Sequence, residues 1–258
     1  MSEITSIAFV GAVGGAGTTR TAVECAAALA RGGRDVAVLD AAYATQGLSE
    51  HVDGRIDPDV TSLCLDPDRP LTDGLYDLDL DAATEGRVAL APARAPFERV
   101  ARAKAVDPAR ELEHRVAEAG EQFDHVIVDT PPIAANQAVA AVHAVDRVAL
   151  VRPDTPHGAD GVRRQLDALR DVEAPDGNPV VVAVGEREGA GEAPDVTVPR
   201  GPPSVAAAPA CLGRDEVAAG TVAAAESLFG VDLGVEFETT GVVDRISAGV
   251  ERVRGDDD

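Results

Sequence analysis

The stretch GAVGGAGTTRT, Gly11 to Thr21, lies between an apolar run, Ile7 to Val10, and a long alanine-rich segment with helical spacing. An apolar run, a cluster of glycines and a helix in immediate succession dictate a strand that turns sharply into a helix. Such a turn aims free backbone N–H groups and a helix N-terminus at one point, which suits an anion. Gly14, Gly15, Ala16, Gly17, Thr18, Thr19 and Arg20 are therefore the candidate anion-binding residues. The loop has no lysine; Lys104 is the only one in the chain.

The same alternation continues downstream. Strand-like runs fall near Ser6 to Val10, Asp35 to Leu39, Arg87 to Leu90, His125 to Val128, Arg147 to Val151 and Pro179 to Val184. Helical patterns fit Thr19 to Arg31, Asp107 to Gly120, Asn136 to His143, Gly158 to Arg170, Glu216 to Phe229 and Val242 to Val253. This order predicts an α/β fold, a single doubly wound, mostly parallel sheet with helices on both faces. One domain is expected over residues 1–235, then a helix and acidic tail over 236–258. Residues Asp53 to Glu85, rich in Asp, Pro and Gly, read as an acidic surface excursion, and Glu186 to Pro203 as a loop on the ligand-binding edge of the sheet.

The chain has 258 residues, 45% of them apolar, enough for a large core, and a formal net charge of -22. That charge disfavours nucleic acid and anionic membranes as direct partners, since no basic patch exceeds a pair such as Arg163-Arg164. Excess acid with almost no lysine resembles the composition of proteins from salt-loving archaea. Cys25, Cys64 and Cys211 are isolated and indicate neither a disulfide framework nor a zinc site. The N-terminus lacks a charged leader, and no apolar run nears the ~20 residues that span a bilayer, so a cytoplasmic location is expected.

Two known patterns compete for the glycine loop. Gly11-x-x-x-Gly15-x-Gly17 resembles the loop of short-chain dehydrogenases, with Asp40 ending the second strand as the ribose-binding acid. The Tyr-x-x-x-Lys pair of those enzymes is missing, because Tyr43 and Tyr76 are followed four residues on by Gly47 and Leu80. The rest of the chain resembles the ParA/MinD-type ATPases, the deviant Walker-A group of P-loop proteins. The resemblance covers roughly residues 4 to 235 and is most specific in FDHVIVDTPP, Phe123 to Pro132, followed by VDRVALVRPD. It implies a P-loop fold, a homodimer through the P-loop face or a protein partner, and ATP or ADP with Mg2+ as ligand. Thr19 would supply the magnesium-site hydroxyl, with Asp40 and Asp129 holding the ion through water.

The chain departs from that pattern where chemistry is done. The family's K-G-G-x-G-K-T-T becomes Val13-Gly14-Gly15-Ala16-Gly17-Thr18-Thr19-Arg20, so both lysines are gone. The acid that orients the attacking water falls on Ala42, in Asp40-Ala-Ala42, ahead of Thr45-Gln46-Gly47-Leu48-Ser49. A charge ~4 Å from a phosphate oxygen at an effective dielectric of ~20 contributes roughly 4 kcal/mol before desolvation. Loss of two such charges predicts weak nucleotide binding and no turnover, a pseudo-ATPase with no catalytic residue in a regulatory, positioning or partitioning role. One alternative is an active ATP-operated switch in which Arg20 or Arg152 replaces the lysines; another is the dinucleotide binder. Arg20 reads as a surface residue about 200° around the helix from Thr18.

The remaining expectations are structural. His157 reads as a solvated loop residue and Asn136 as a helix cap or support. Val184-Gly185-Glu186-Arg187 lacks the family's adenine-reading Asn. The C-terminal helix has no aromatic residue and ends in acids, which argues against membrane insertion.

Overall fold

The computed structural model describes residues 4–80, 84–175, 177–185 and 192–237. In chain order the elements are β1 (Ser6–Gly11), α1 (Thr18–Arg31), β2 (Val36–Asp40), α2 (Val60–Leu65), β3 (Tyr76–Asp77), β4 (Val88–Ala91), α3 (Phe97–Ala103), α4 (Val106–Gly120), β5 (His125–Thr130), α5 (Asn136–His143), β6 (Arg147–Pro153), α6 (Pro156–Asp171), β7 (Val180–Val184), β8 (Val196–Val198) and α7 (Glu216–Phe229). The strands form one sheet in the order β3-β4-β2-β5-β1-β6-β7-β8, parallel except for the β3 edge. The fold is the doubly wound α/β sheet expected from the sequence, and it is P-loop-like because β5 lies between β1 and β2.

Alternate residues of each strand feed two cores. Ile7 and Phe9 of β1 join α1 and α7 on one face, whereas Ala8 and Val10 join α2 to α6 on the other. Both faces are covered, so β2 and β5 are buried along their whole length and β1 and β6 at all but their end residues, as parallel sheets require. In α1 every residue from Thr21 to Ala30 is buried, and its many alanines let the helix lie close to the sheet and to α7.

Two regions differ from the sequence-based reading. Residues 53–85 are not a surface excursion: Val60, Leu63, Cys64 and Leu71 are core residues. The helix that buries the first three of these, α2, begins with a capping box between Asp59 and Ser62, and Arg115 of α4 donates to the carbonyls of Leu63, Asp66 and Pro67 at its end. Six helical residues among Asp and Pro are too few for a helical period to stand out. Within Glu186 to Pro203 the chain forms β8, which extends the sheet beside β7. The helix expected over Val242 to Val253 and the acidic tail lie outside the described residues.

Candidate functional site

Between β1 and α1 the chain makes the predicted sharp turn. Gly15 and Gly17 have φ of 73° and 87°, left-handed values that cost an L side chain about 1–2 kcal/mol each. A Cβ at Gly14 or Gly15 would meet nothing within 4 Å, so both glycines face open space. The amides of Gly14, Gly15 and Gly17 donate to no described residue, and α1 starts at Thr18 with no side-chain cap and no acid in its first turn. The glycine turn and the helix N-terminus, which carries a partial positive charge, line one concave space.

The turn is braced from below. Val13 is buried and packs on Gly161 of α6. A Cβ on Gly161 would come within 2.5 Å of the Val13 side chain and 2.6 Å of the Ala12 carbonyl oxygen.

The space in front of the turn is a cavity of about 770 Å³. It is lined by Gly14 to Thr19, Ala42, Thr45, Glu50, His51, Asp129 and Thr130. The apolar residues Val184, Val198, Pro199, Pro202, Pro203 and Val205 also line it, with Arg200 among them. All seven sequence-predicted anion-binding residues therefore meet at one cavity. The wall from Pro199 to Val205 was legible only as a Gly- and Pro-rich loop, since no periodicity marks which of its residues face inward.

The candidate metal residues are only partly brought together. The Thr19 hydroxyl donates to Asp129 Oδ2 at 2.6 Å, and both residues line the cavity. These hard oxygens fit Mg2+, which takes few protein ligands and completes its shell with water and phosphate oxygens. Asp40, directly opposite Asp129 in the β2–β5 register, does not reach the cavity. It is fully buried, and its two oxygens accept the amides of Ala42 at 2.7 Å and Ala93 at 3.1 Å. Asp40 thus spends both oxygens on backbone amides instead of lining the metal position, although Ala42, two residues on, reaches the cavity. Burial lifts the Asp129 carboxyl to about 6, against the lowering effect of the Thr19 hydrogen bond. Burial, then the neighbouring Asp129 charge, hold Asp40 well above the ordinary carboxylate range. Among the described residues no group of three or more His, Cys, Asp or Glu side chains is placed to hold a metal ion.

Neither arginine named as a lysine substitute is free for a ligand. Arg20 is half-buried instead of lying on the outer surface. Its guanidinium binds Glu24 Oε1 at 2.7 Å and the carbonyls of Pro202, Ser204 and Ala207 at 3.1, 3.0 and 3.2 Å. Arg152 is 2% exposed, pairs with Asp154 at 2.8 Å and donates to the Glu192 carbonyl. His157 is exposed on α6 and away from the cavity. Asn136 caps nothing: Ala135 holds the N-cap position, and the Asn136 amide binds the Lys104 carbonyl at 3.0 Å.

A family model described as an AAA domain matches residues 4–179, more than half of the chain. The chain belongs to this AAA domain family. Its P-loop fold is that of the ParA/MinD ATPases. MinD in the Aquifex aeolicus MinC:MinD cell division complex superposes with a TM-score of 0.70 at 18% identity, covering 90% of this chain and 98% of that one. The Pyrococcus furiosus cell division ATPase MinD gives 0.66 at 18% identity, over 87% and 98%. Cobyrinic acid a,c-diamide synthase from Mycobacterium smegmatis, solved with ADP and magnesium, gives 0.66 at 19% identity, over 87% and 93%. No curated protein matches the sequence significantly. The AAA domain's strand order also removes the dehydrogenase reading, because in the dinucleotide-binding fold the acid-bearing second strand lies directly beside the first. No helix among the described residues is long and apolar enough to cross a membrane.

Proposed function

We propose that this chain is a ParA/MinD-like nucleotide-binding protein that has lost hydrolysis, a pseudo-ATPase acting as a regulatory, positioning or partitioning module. The free amides of Gly14, Gly15 and Gly17 and an uncapped helix N-terminus in a loop without lysine carry this reading. Main-chain donors bind phosphate but do not supply the positioned charge that stabilises phosphoryl transfer. Ala42 puts a methyl group at the cavity where the family carries a water-orienting acid, and a methyl activates nothing. The ligand is ADP or ATP, held by Gly14 to Thr19, with Mg2+ on Thr19 and Asp129.

The protein works in the cytoplasm, in high salt, and its partner is a second copy meeting the P-loop face or another protein. Support comes from the acidic composition and from the MinC:MinD pairing of the Aquifex aeolicus relative. With Val13 packed inward on Gly161, no side chain at that position reaches across to a partner's nucleotide. Calorimetric titration with ADP and ATP, with and without Mg2+ in molar KCl, alongside a phosphate-release assay, tests the reading. Weak binding without turnover is expected. Steady phosphate release refutes the loss of catalysis, and absence of nucleotide binding refutes the ligand.

A further inference from the structure

Three basic side chains among the described residues line the cavity: Arg20, His51 and Arg200. Arg20 spends its donors on Glu24 and three carbonyls. The imidazole of His51 is held to its neutral form, first by burial and next by the Arg20 charge. Arg200 is different. It is exposed and has no hydrogen bond or ion pair with any described residue. Its Nε lies 3.3 Å from where a Cβ on Gly185 would stand, at the carboxyl end of β7. The preceding residue, Val184, touches the position of a Cβ on Gly17 at 3.8 Å. Arg200 and the start of α1 thus both sit against the carboxyl end of β7, and both line the cavity.

Its placement is built. Arg200 rides on the segment that follows β8, and α1 pins that segment at both ends. Arg20 takes the carbonyls of Pro202, Ser204 and Ala207, and the Glu24 carboxylate takes the amides of Ala210 and Cys211 at 2.8 and 2.9 Å. Arg31, two turns on, takes the carbonyls of Cys211 and Gly213, both at 2.7 Å. The helix that opens with the anion-binding amides thus also fixes the strand of chain carrying the guanidinium.

We infer that Arg200 is the cation that engages the phosphate groups of a nucleotide in this cavity, and that the Arg20–Glu24 pair is the positioning device that holds it there. This inference rests on the nucleotide reading above and concerns binding, not phosphoryl transfer, for which Ala42 still leaves no water-orienting acid at the cavity. A guanidinium on a phosphate makes charge-assisted hydrogen bonds, which set the expected effect at about tenfold to a hundredfold in affinity.

The test is calorimetry on the full chain in molar KCl with two probes, ADP and adenosine. Arg200→Met is expected to weaken ADP by tenfold or more and leave adenosine unchanged, while Arg200→Lys retains most of the ADP affinity. Because Arg200 is exposed, the thermal midpoint should stay that of the wild type. Arg20→Leu should weaken ADP in the wild-type background and add no further loss on Arg200→Met, as coupled residues do. Equal ADP affinity in wild type and Arg200→Met overturns the inference and leaves the nucleotide reading standing. Equal losses for ADP and adenosine also overturn it, in favour of the arginine covering the base. A further loss from Arg20→Leu on Arg200→Met overturns the positioning role. A wild-type chain that binds no ADP overturns the nucleotide reading and this inference together.

Discussion

Replacing Asp129 by Asn should stabilise the protein at neutral pH. The Asp129 carboxyl is fully buried beside Asp40, and burial lifts it from 3.8 to about 6. In the unfolded chain it titrates near its ordinary value of about 3.9. Below about pH 4 both states are protonated and the group has no effect on stability. Between there and about pH 6 the folded state keeps a proton that the unfolded state has released, so stability falls as pH rises. Above that window the penalty is complete, on the order of 3 kcal/mol at ~1.36 kcal/mol per pH unit. Asp40, raised in the same direction, steepens the fall. Asn removes the charge and can still accept the Thr19 hydroxyl. For a chain of this size the gain corresponds to roughly 5–10 °C in thermal midpoint at pH 7. Thermal denaturation of both proteins from pH 4 to 7.5, in chelator, measures it. The gain should shrink to nothing at the acid end. A variant that melts at or below the wild-type temperature at pH 7, or a gain constant with pH, refutes the assignment of the penalty to this carboxylate. With Mg2+ added at pH 7, only the wild type should gain stability.

Gly161→Ala should destabilise by about 1–3 kcal/mol, read by chemical denaturation, because its new methyl would press into Val13 and the Ala12 carbonyl. Glu24→Ala leaves the Ala210 and Cys211 amides without their acceptor and Arg20 without its ion pair, at about 1–3 kcal/mol per buried group. Limited proteolysis should then cut between Pro199 and Gly213, where the wild type resists. Burial pushes the Cys25 and Cys64 thiols up to about 12 and raises Cys211 also, so a thiol reagent at pH 8 should label none of the three until denaturant is added.

The sheet and its two helical layers were legible because the buried strands run as Val, Ile and Ala over five or six residues, and because α1, α4 and α7 are long enough to show a period. The glycine turn was legible for a different reason: residues 14–17 are small throughout and left-handed at Gly15 and Gly17, and few sequences can do that. What stayed hidden depends on contacts between distant segments. Nothing local in Val60-Thr-Ser-Leu says that its apolar side chains meet Arg115-bearing α4, 50 residues on. Arg20 could be placed on the helix by its angle, but the carbonyls that capture it belong to residues 202–207. Arg200 carries no sequence signal at all beyond sitting in a Pro- and Gly-rich run. Asp40 misled because a strand-end acid looks the same whether its oxygens face a ligand or accept backbone amides from its own and a neighbouring turn.

The strand order has a temporal side. β1 pairs with β5 and β6, which begin at His125 and Arg147, and has no earlier partner in the chain. At ~5–20 residues per second of synthesis, the first strand leaves the ribosome on the order of ten seconds before either neighbour exists. A chain interrupted ahead of His125 would hold the glycine turn on a strand with no partner, although β2, β3 and β4 could already pair, so a segment translated early is among the last to be finished.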